Sequence, residues 1–309
     1  MNPRWQPSAP IENLQKRSEV LWKVREFFRH RGICEVQTPV VGSNTVADLN
    51  IESVRLANGN FLQTSPEYFL KRLLAAGMPS CYQLGPVFRE GEAGRWHNPE
   101  FTMLEWYRLG FSSSELRQEV KELVKLVLGP SDVREYTFRD FLFNEFQFDF
   151  FEQSGEELHN VAQTNGYGAD FRREEVLDFL YSSAIAKCND SRYFVLDFPV
   201  ESSALAEVRE LDGHQVVDRF ELIVKGLEIA NGYNELRDPA ELEHRMKRDR
   251  SARRQLHRAD VEMDQRLLEA MEAGLPQCSG VAVGLDRLVA VAVGAEKIQQ
   301  VLSFAHNQI

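Results

Sequence analysis

The chain has 309 residues, of which 43% are hydrophobic, and a formal net charge of −11 from 36 basic and 47 acidic side chains. A chain of this length and apolar content can bury a large core. Its net negative charge disfavours binding of a polyanion such as tRNA. The four cysteines are widely separated and lack the spacing of a zinc site, so reduced structural thiols are expected. The N-terminus is unlike a signal sequence, and no apolar stretch is long enough to span a bilayer. We therefore expect a cytoplasmic protein with no membrane partner.

An amphipathic helix is the first predicted element. It covers Ser18–His30, and Gly32 ends it. Its apolar side chains share one side: Val20, Leu21, Val24, Phe27 and Phe28. A strand from Ile33 to Val36 follows and runs to Pro39.

The segment Ser65-Pro66-Glu67 opens the predicted helix YFLKRLLAAG. A serine N-cap, a proline in the first turn and an acid at the positive end of the helix dipole are typical of a well-formed helix start. The same glutamate could instead serve a cationic ligand. The pattern of this segment alone leaves both interpretations open.

A hairpin rich in polar residues follows, with predicted strands over residues 83–88 and 100–107. The loop between them holds glycines that allow close backbone approach to a ligand. Arg89 supplies a planar fork for phosphate or carboxylate, and Phe101 offers a ring face for a flat base. The alternative is a charged surface hairpin whose ion pairs contribute little.

Helix Ser112–Leu128 is predicted from a capping box at its start and a Gly129-Pro130 stop. Beyond it the pattern is less clear, with a helix over Arg172–Ile185 and a strand over Tyr193–Phe198. We expect an insertion at about residues 130–215 and assign it no chemistry.

The segment RFELIVKGLEIANGYNEL predicts two antiparallel strands joined near Lys225-Gly226. Such a hairpin could bring Glu221 and Glu228 onto one ligand, and hard carboxylate oxygens suit Mg²⁺. Two solvated surface glutamates are the alternative.

Two features remain near the C-terminus. The run Arg245–Arg258 has seven basic residues in fourteen, which indicates either a solvated helix face or a docking surface for an acidic partner. In GVAVGLDR a strand reaches Gly284, and a helix then begins with Asp286 and Arg287 in its first turn.

Together these segments resemble the three signature motifs of class II aminoacyl-tRNA synthetases: the first helix and strand as motif 1, the polar hairpin as motif 2 and GVAVGLDR as motif 3. The resemblance implies an α+β fold, a mostly antiparallel sheet flanked by helices, over residues 1–309 as one catalytic domain with the insertion. It also implies a homodimer through motif 1.

The segments HNPEFTMLEWY and KGLEIANGYNEL are similar to those of the lysine-specific branch of the class II synthetases. Lysyl-tRNA synthetases carry an anticodon-binding barrel before motif 1, which here begins within the first twenty residues. The chain therefore resembles the freestanding paralogues that activate lysine or (R)-β-lysine with ATP and attach it to a lysine of elongation factor P. A minimal tRNA-charging enzyme and a non-catalytic regulatory protein are the alternatives, and no tRNA partner is expected.

The resemblance also implies a nucleotide site in which Arg89 and Arg287 are the catalytic arginines, Phe101 stacks on adenine and Mg²⁺ lies on Glu221 and Glu228. The residues expected to bind ATP are Arg89, Glu90, Gly91, His97, Asn98, Phe101, Glu228, Ile229, Gly284 and Arg287.

For the amino-acid substrate, the resemblance places Glu67 and Glu235 at the distal ammonium and Glu105 at the ammonium nearer the carboxylate. A buried unpaired charge is costly, so a diammonium substrate needs such partners. The full set expected to bind it is Ser65, Pro66, Glu67, Glu105, Tyr107, Asn231, Tyr233, Glu235 and Ala282.

Two positions depart from the synthetase pattern. Motif 2 commonly has Arg-Asn-Glu, whereas this chain has Arg89-Glu90-Gly91-Glu92, so the backbone of Glu90 and Gly91 is the expected adenine contact, with Glu92 as a supplement. Ala282 stands where tRNA-charging relatives typically carry glycine. A methyl group there would crowd the α-amino region and favour an isomer whose amine lies one carbon further along.

Overall fold

The computed structural model describes residues 5–49 and 51–308. Within these ranges nine α-helices form: α1 (Ile11–His30), α2 (Glu67–Ala75), α3 (Ser113–Leu128), α4 (Phe138–Phe146), α5 (Gly155–Thr164), α6 (Arg173–Lys187), α7 (Pro239–Gln255), α8 (Gln265–Gly274) and α9 (Leu285–Val293). The same ranges contain eleven strands: β1 (Cys34–Glu35), β2 (Val41–Gly42), β3 (Phe61–Leu62), β4 (Cys81–Phe88), β5 (Glu100–Leu109), β6 (Arg134–Thr137), β7 (Arg192–Pro199), β8 (Val208–Leu211), β9 (His214–Val224), β10 (Leu227–Asn234) and β11 (Cys278–Gly284).

The chain divides into two compact units. The first unit combines residues 1–130 with 235–309, and the second unit is the continuous segment 131–234. The second unit therefore includes the β9–β10 hairpin as well as the segment between α3 and β9. The fold is α+β, with strands that pair mainly antiparallel.

In the first unit the sheet runs in the order β1, β4, β5, β11, with β1 parallel to β4 and the other pairs antiparallel. One face of this sheet carries Leu104, Trp106 and Val283, which are fully buried. Helix α1 packs there through Phe28, whose ring stacks on Tyr82 at 4.3 Å and meets Trp106 edge-on at 5.2 Å. Burial of these aromatic and aliphatic side chains stabilises this layer.

In the second unit the order is β10, β9, β7, β6, with β8 on β9. Its core is aromatic: Phe138 packs against Phe150, Tyr181 and Phe198 at centroid distances of 5.2 to 5.4 Å. Phe138 comes from α4, Tyr181 from α6 and Phe198 from β7, so helices and sheet both contribute rings to this core.

Several predicted elements are confirmed. Ser112 caps α3 with both hydrogen bonds of the capping box, and β9 and β10 join through Lys225 and Gly226, whose φ angles of 50° and 75° suit a two-residue hairpin turn. The predicted helix Ser18–His30 was too short, since α1 begins at Ile11. Its first turns are largely exposed, so they lack the apolar stripe on which the prediction depended.

The hypothesis of a basic docking face over Arg245–Arg258 is wrong for two of its residues, Arg245 and Arg253. Arg245 and Arg253 are buried, with 3% and 1% of their surfaces exposed. Arg250 and Arg254 both pair with Asp260. Arg253 therefore anchors α7 to the segment around Glu52, through its ion pair with Glu52 Oε2 at 2.8 Å. Among residues 5–49 and 51–308, no helix combines the length and apolarity needed to cross a bilayer.

Candidate active site

The two faces of β5 have different chemistry. Successive side chains on a strand point to opposite sides, so Glu105 and Tyr107 lie opposite the buried Leu104 and Trp106. On β11, Ala282 is in register with Glu105, and Gly280 is in register with Tyr107. Directly paired residues share a face, so small residues stand beside both polar side chains. This face can receive a ligand.

The start of α2 brings a second set of polar groups to this face. The Ser65 hydroxyl donates to Glu105 Oε2 at 2.7 Å and accepts the Glu67 N–H at 2.9 Å. The Tyr107 hydroxyl donates to Glu105 Oε1 at 2.8 Å. Ser65 therefore bonds a backbone N–H at the helix start and orients Glu105, although the N-cap of α2 is Pro66 and not the predicted Ser65.

Lys71 lies one turn further along α2, and its side chain is buried. Its Nζ is 2.7 Å from Glu67 Oε1 and 2.5 Å from Glu235 Oε2. Only 2% of the Lys71 side chain and 1% of the Glu235 side chain are exposed. The Glu235 N–H donates to Cys278 O at 3.1 Å, which fixes this glutamate beside β11.

Glu235 Oε1 is buried, and no described residue hydrogen-bonds to it. A Cβ atom built on Gly280 would lie 2.4 Å from this oxygen and 2.4 Å from Tyr107 Cε1. Only glycine fits between these two side chains, because real Cβ contacts are at least 3 Å. A buried acceptor of this kind is costly unless a ligand supplies a donor.

Lys71 does not neutralise all of the negative charge of the three carboxylates Glu67, Glu105 and Glu235. Burial, and then the charge of Glu67, raises the pKa of Glu105 to about 7. Burial also raises the pKa of Glu235 to about 8, although the Lys71 ammonium opposes this. For Lys71, burial lowers the pKa, but the charges of Glu235 and Glu67 outweigh it and raise the pKa above the usual range. A cationic ligand would complete the set.

The motif 2 loop places Arg89 beside Phe101. The Arg89 guanidinium carbon lies 5.2 Å from the Phe101 ring centroid, and Arg89 Nη1 lies 3.5 Å from Glu92 Oε1. Arg89 Nε is buried, and no described residue accepts its hydrogen. The Phe101 ring can stack on a nucleotide base, and the Arg89 guanidinium, which has an N–H without an acceptor among the described residues, can bind the phosphate of the same nucleotide.

The backbone at Glu90 is already used within the protein. The Glu90 N–H donates to Glu52 O at 2.8 Å, and Gly91 has a φ of 76° that favours glycine. Arg253 holds the Glu52 segment, since its guanidinium donates to Asp48 O and to Glu52 Oε2, both at 2.8 Å. The motif 2 loop is thus braced from α7, and any adenine contact here falls to other groups than the Glu90 N–H.

Arg287, in the first turn of α9, meets the same loop. Its Nη2 is 2.6 Å from His97 Nε2, and its Nε donates to Trp96 O at 3.3 Å. The predicted residues Arg287 and His97 are therefore neighbours, and Gly284 ends β11 directly before α9. Asn98 is bonded at both ends of its side chain: Nδ2 donates to Glu100 O at 2.7 Å, and Oδ1 accepts the His306 N–H at 3.0 Å.

Asp286 ties the three motifs together. It is 2% exposed, and its Oδ2 accepts the Thr102 N–H of β5 at 2.9 Å. Arg17 of α1 pairs with Asp286 Oδ1 and also donates to the Thr102 hydroxyl at 2.8 Å. One carboxylate thus joins the motif 1 helix, the motif 2 strand and the motif 3 helix.

A second carboxylate pair lies in the second unit, on the β9–β10 hairpin. The Tyr181 hydroxyl donates to Glu221 Oε2 at 2.8 Å, and Arg219 pairs with Glu221 Oε1. Burial, and then the negative charge of Glu228, raises the pKa of Glu221 to about 7. A cation shared by two carboxylates would relieve this repulsion, so the donor set fits Mg²⁺.

The remaining predicted residues of this hairpin have different surroundings. Asn231 pairs in register with Glu221 and accepts the Arg219 Nε hydrogen at 3.1 Å. Tyr233 pairs in register with Arg219. The side chain of Ile229 is buried, at a register shift between Glu228 and Ala230. Any nucleotide contact at Ile229 therefore involves its backbone.

Comparison with known proteins agrees with these motifs. The family model for class II tRNA synthetases (D, K and N) matches residues 7–308. The chain belongs to the class II tRNA synthetases. It is 40% identical to the elongation factor P–(R)-β-lysine ligase of Vibrio cholerae, over 98% of each chain. The ligases of the same name from Haemophilus ducreyi and Photorhabdus laumondii are 40% and 39% identical, over 97% of this chain.

In this class II synthetase chain, sequence reasoning missed Lys71 and Gly280. Lys71 follows Glu67 by four residues on a helix, and that spacing could have indicated an ion pair. An ion pair on a solvated helix face contributes little, however, and the sequence did not reveal that this face is buried. The need for glycine at residue 280 comes from side chains that are distant in sequence.

Proposed function

We propose that this chain activates (R)-β-lysine with ATP and transfers it to a lysine side chain of elongation factor P. The observation that carries the proposal is the cluster of two buried carboxylates, Glu105 and Glu235, with the partly buried Glu67, which calls for a ligand with more than one ammonium group. The near-full-length similarity to elongation factor P–(R)-β-lysine ligases supports (R)-β-lysine as the diammonium acid and elongation factor P as the acceptor.

Substrate binding follows from the charge of the cluster. Glu105 receives the ammonium nearer the substrate carboxylate, and the unbonded Glu235 Oε1 receives the distal ammonium. The Tyr107 hydroxyl and Ser65 keep Glu105 in place. Because both carboxylates have raised pKa values, binding a dication drives them to their ionised forms.

Activation requires no general base, because the substrate carboxylate is ionised at neutral pH. One carboxylate oxygen attacks the α-phosphorus of ATP in line, a new C–O–P linkage forms, and pyrophosphate leaves. Arg89 stabilises the charge that develops on the α-phosphate, Phe101 stacks on adenine, and Arg287 binds the outer phosphates with His97. These residues align the two substrates, which is the main catalytic task.

Glu221 and Glu228 would hold Mg²⁺, which neutralises phosphate charge when bound. Within the second unit, Tyr181 and Arg219 orient the Glu221 carboxylate. This keeps one ligand fixed, whereas the exposed Glu228 can adjust.

Transfer then consumes the acyl-adenylate. The ε-amine of the acceptor lysine, after losing a proton, attacks the acyl carbon, an amide bond forms and AMP leaves. Ala282 lies in register with Glu105, which supports a position of its methyl group on the side of the nearer ammonium. That methyl favours the amine one carbon further from the carboxylate, as in β-lysine.

We also propose a homodimer through motif 1. On α1 the Trp22 side chain is 66% exposed, although Val24 and Phe28 on the same helix are fully buried. A large exposed aromatic side chain on this helix is suited to an interface between two copies. Sedimentation of the wild type and of Trp22→Glu tests this: a monomeric variant is expected, and an unchanged dimer would contradict it.

The function is tested by following AMP and pyrophosphate release with purified protein, comparing (R)-β-lysine with α-lysine, and then offering elongation factor P or tRNA. We expect adenylation of β-lysine and label transfer to elongation factor P. Removing one donor to the transferred phosphate costs roughly 2.7 to 4 kcal/mol, so Arg89→Ala should lose about two to three orders of magnitude in rate. Label on tRNA, or near-normal turnover of Arg89→Ala, would contradict the proposal.

A further inference from the structure

Lys71 is a cation inside the cluster that should bind a cationic substrate. Its Nζ contacts Glu67 Oε1 at 2.7 Å and Glu235 Oε2 at 2.5 Å, and its side chain is 2% exposed. A substrate ammonium and the Lys71 ammonium cannot share the same carboxylate oxygens without repulsion. The protein has therefore occupied part of the expected binding site with its own lysine.

The remaining acceptors are the ones that the substrate can use. On Glu235, Oε2 is taken by Lys71, while Oε1 is buried and lacks a hydrogen-bond partner among the described residues. Gly280 stands against this oxygen, so the space in front of it is kept free of a side chain. Lys71 thereby determines which oxygen of Glu235 faces the ligand.

Lys71 also sets the charge of the pocket. Glu67, Glu105 and Glu235 are three carboxylates, and one lysine ammonium leaves two negative charges among these four groups. A diammonium acid brings two positive groups to the same place. A pocket without the lysine would hold one more negative charge than the substrate can pair, and an unpaired buried charge is costly.

We propose that Lys71 is a positioning and specificity-determining residue, which orients Glu235 and cancels one carboxylate so that the pocket matches a substrate with two ammonium groups. This proposal rests on the function proposed above. Lys71 touches neither ATP nor the reacting carboxylate in that scheme. Its loss should therefore raise KM for the amino acid much more than it lowers kcat at saturation.

The experiment compares adenylation kinetics of Lys71→Met with those of the wild type and of the double variant Lys71→Met/Glu67→Gln. Breaking a buried charge pair by removing one partner typically costs 2 kcal/mol or more, so KM for β-lysine should rise roughly 30-fold or more in Lys71→Met. The double variant removes one charge of each sign and should recover to within about tenfold of the wild type, since no uncompensated carboxylate remains.

A matched control is Lys247→Met. Lys247 also pairs with a glutamate four residues away, Glu243, at 2.8 Å, but both side chains are well exposed, at 58% and 44%. It should leave the kinetics unchanged. A second readout is the preference for β-lysine over 3-aminohexanoic acid, which lacks the distal ammonium. That preference should fall in Lys71→Met, since a disordered Glu235 no longer selects the distal ammonium, and a purely structural role would lower both activities alike.

The outcomes are distinct. If the wild type does not adenylate β-lysine, the proposed function fails. If the wild type is active but KM of Lys71→Met stays within threefold, or the double variant is no better than the single one, the role of Lys71 fails alone. If Lys71→Met does not fold, Lys71→Gln with and without Glu67→Gln provides the same comparison, with the folded state checked by circular dichroism.

Discussion

Replacing Gly280 with alanine should disable the substrate pocket through a single methyl group. The new Cβ would lie 2.4 Å from both Glu235 Oε1 and Tyr107 Cε1. Favourable contacts between such atoms begin near 3.5 Å, so each neighbour must retreat by about 1 Å. Glu235 and Tyr107 are 1% and 2% exposed, so moving either one disturbs the packing around it.

The expected cost has two parts. Overpacking of this kind typically destabilises a protein by about 1–3 kcal/mol. A displacement of about 1 Å at a site that aligns reactants can lower the rate by roughly 100-fold. Because Tyr107 donates to Glu105, moving its ring also disturbs the second carboxylate. We therefore expect Gly280→Ala to lose about two orders of magnitude in kcat/KM for β-lysine.

The assay is adenylate formation at several β-lysine concentrations, with thermal unfolding measured in parallel. Gly85→Ala is the matched control in the same sheet, because a Cβ there would meet only the Gln83 side chain, at 3.7 Å or more. It should behave like the wild type. Activity of Gly280→Ala within threefold of the wild type would refute the packing described for Glu235 and Tyr107.

Three further predictions concern specificity, pH and the nucleotide loop. Ala282→Gly should raise the ratio of α-lysine to β-lysine activation by roughly tenfold or more, and an unchanged ratio would count against the steric role of its methyl group. The raised carboxyl pKa values of Glu105 and Glu235, about 7 and 8, mean that the folded state binds extra protons above pH 4.5. The stability of the ligand-free protein should therefore fall as pH rises toward 8, while stabilisation by β-lysine should grow. Thermal unfolding measured across this range with and without β-lysine checks both expected trends. Arg253→Met should raise KM for ATP about tenfold with little change in KM for β-lysine, whereas Arg254→Met should have no effect on either, and equal effects of the two would refute the bracing role.

Local patterns predicted much of the fold. The capping box of α3 and the Lys225-Gly226 turn depend on residues that are adjacent in sequence, so their chemistry identifies them directly. The length of α1 was missed because its first turns are held by polar contacts, Asn13 to Gln300 O and Arg17 to Asp286, rather than by an apolar face. Burial patterns, by contrast, depend on which elements meet.

The site was predicted through residue types and a family resemblance, and the structure adds how these residues depend on one another. Ser65 orients Glu105 because the segment before α2 lies beside β5, which no local pattern reveals. The burial of Arg253 could likewise not be predicted from the sequence, because a basic helix usually faces solvent. Non-local packing decides whether a charged side chain is a surface group or a buried anchor.

The discontinuous first unit has a consequence for synthesis on the ribosome. Strand β5 ends at Leu109, but β11, which covers its second edge, begins only at Cys278, about 170 residues later. At roughly 5–20 residues per second, that edge waits on the order of 10 to 30 seconds for its partner. The continuous segment 131–234 can fold during this interval, which leaves the nascent chain with a finished second unit and an open, aggregation-prone strand edge in the first. We expect the newborn chain to depend on chaperone protection at β5 until β11 emerges.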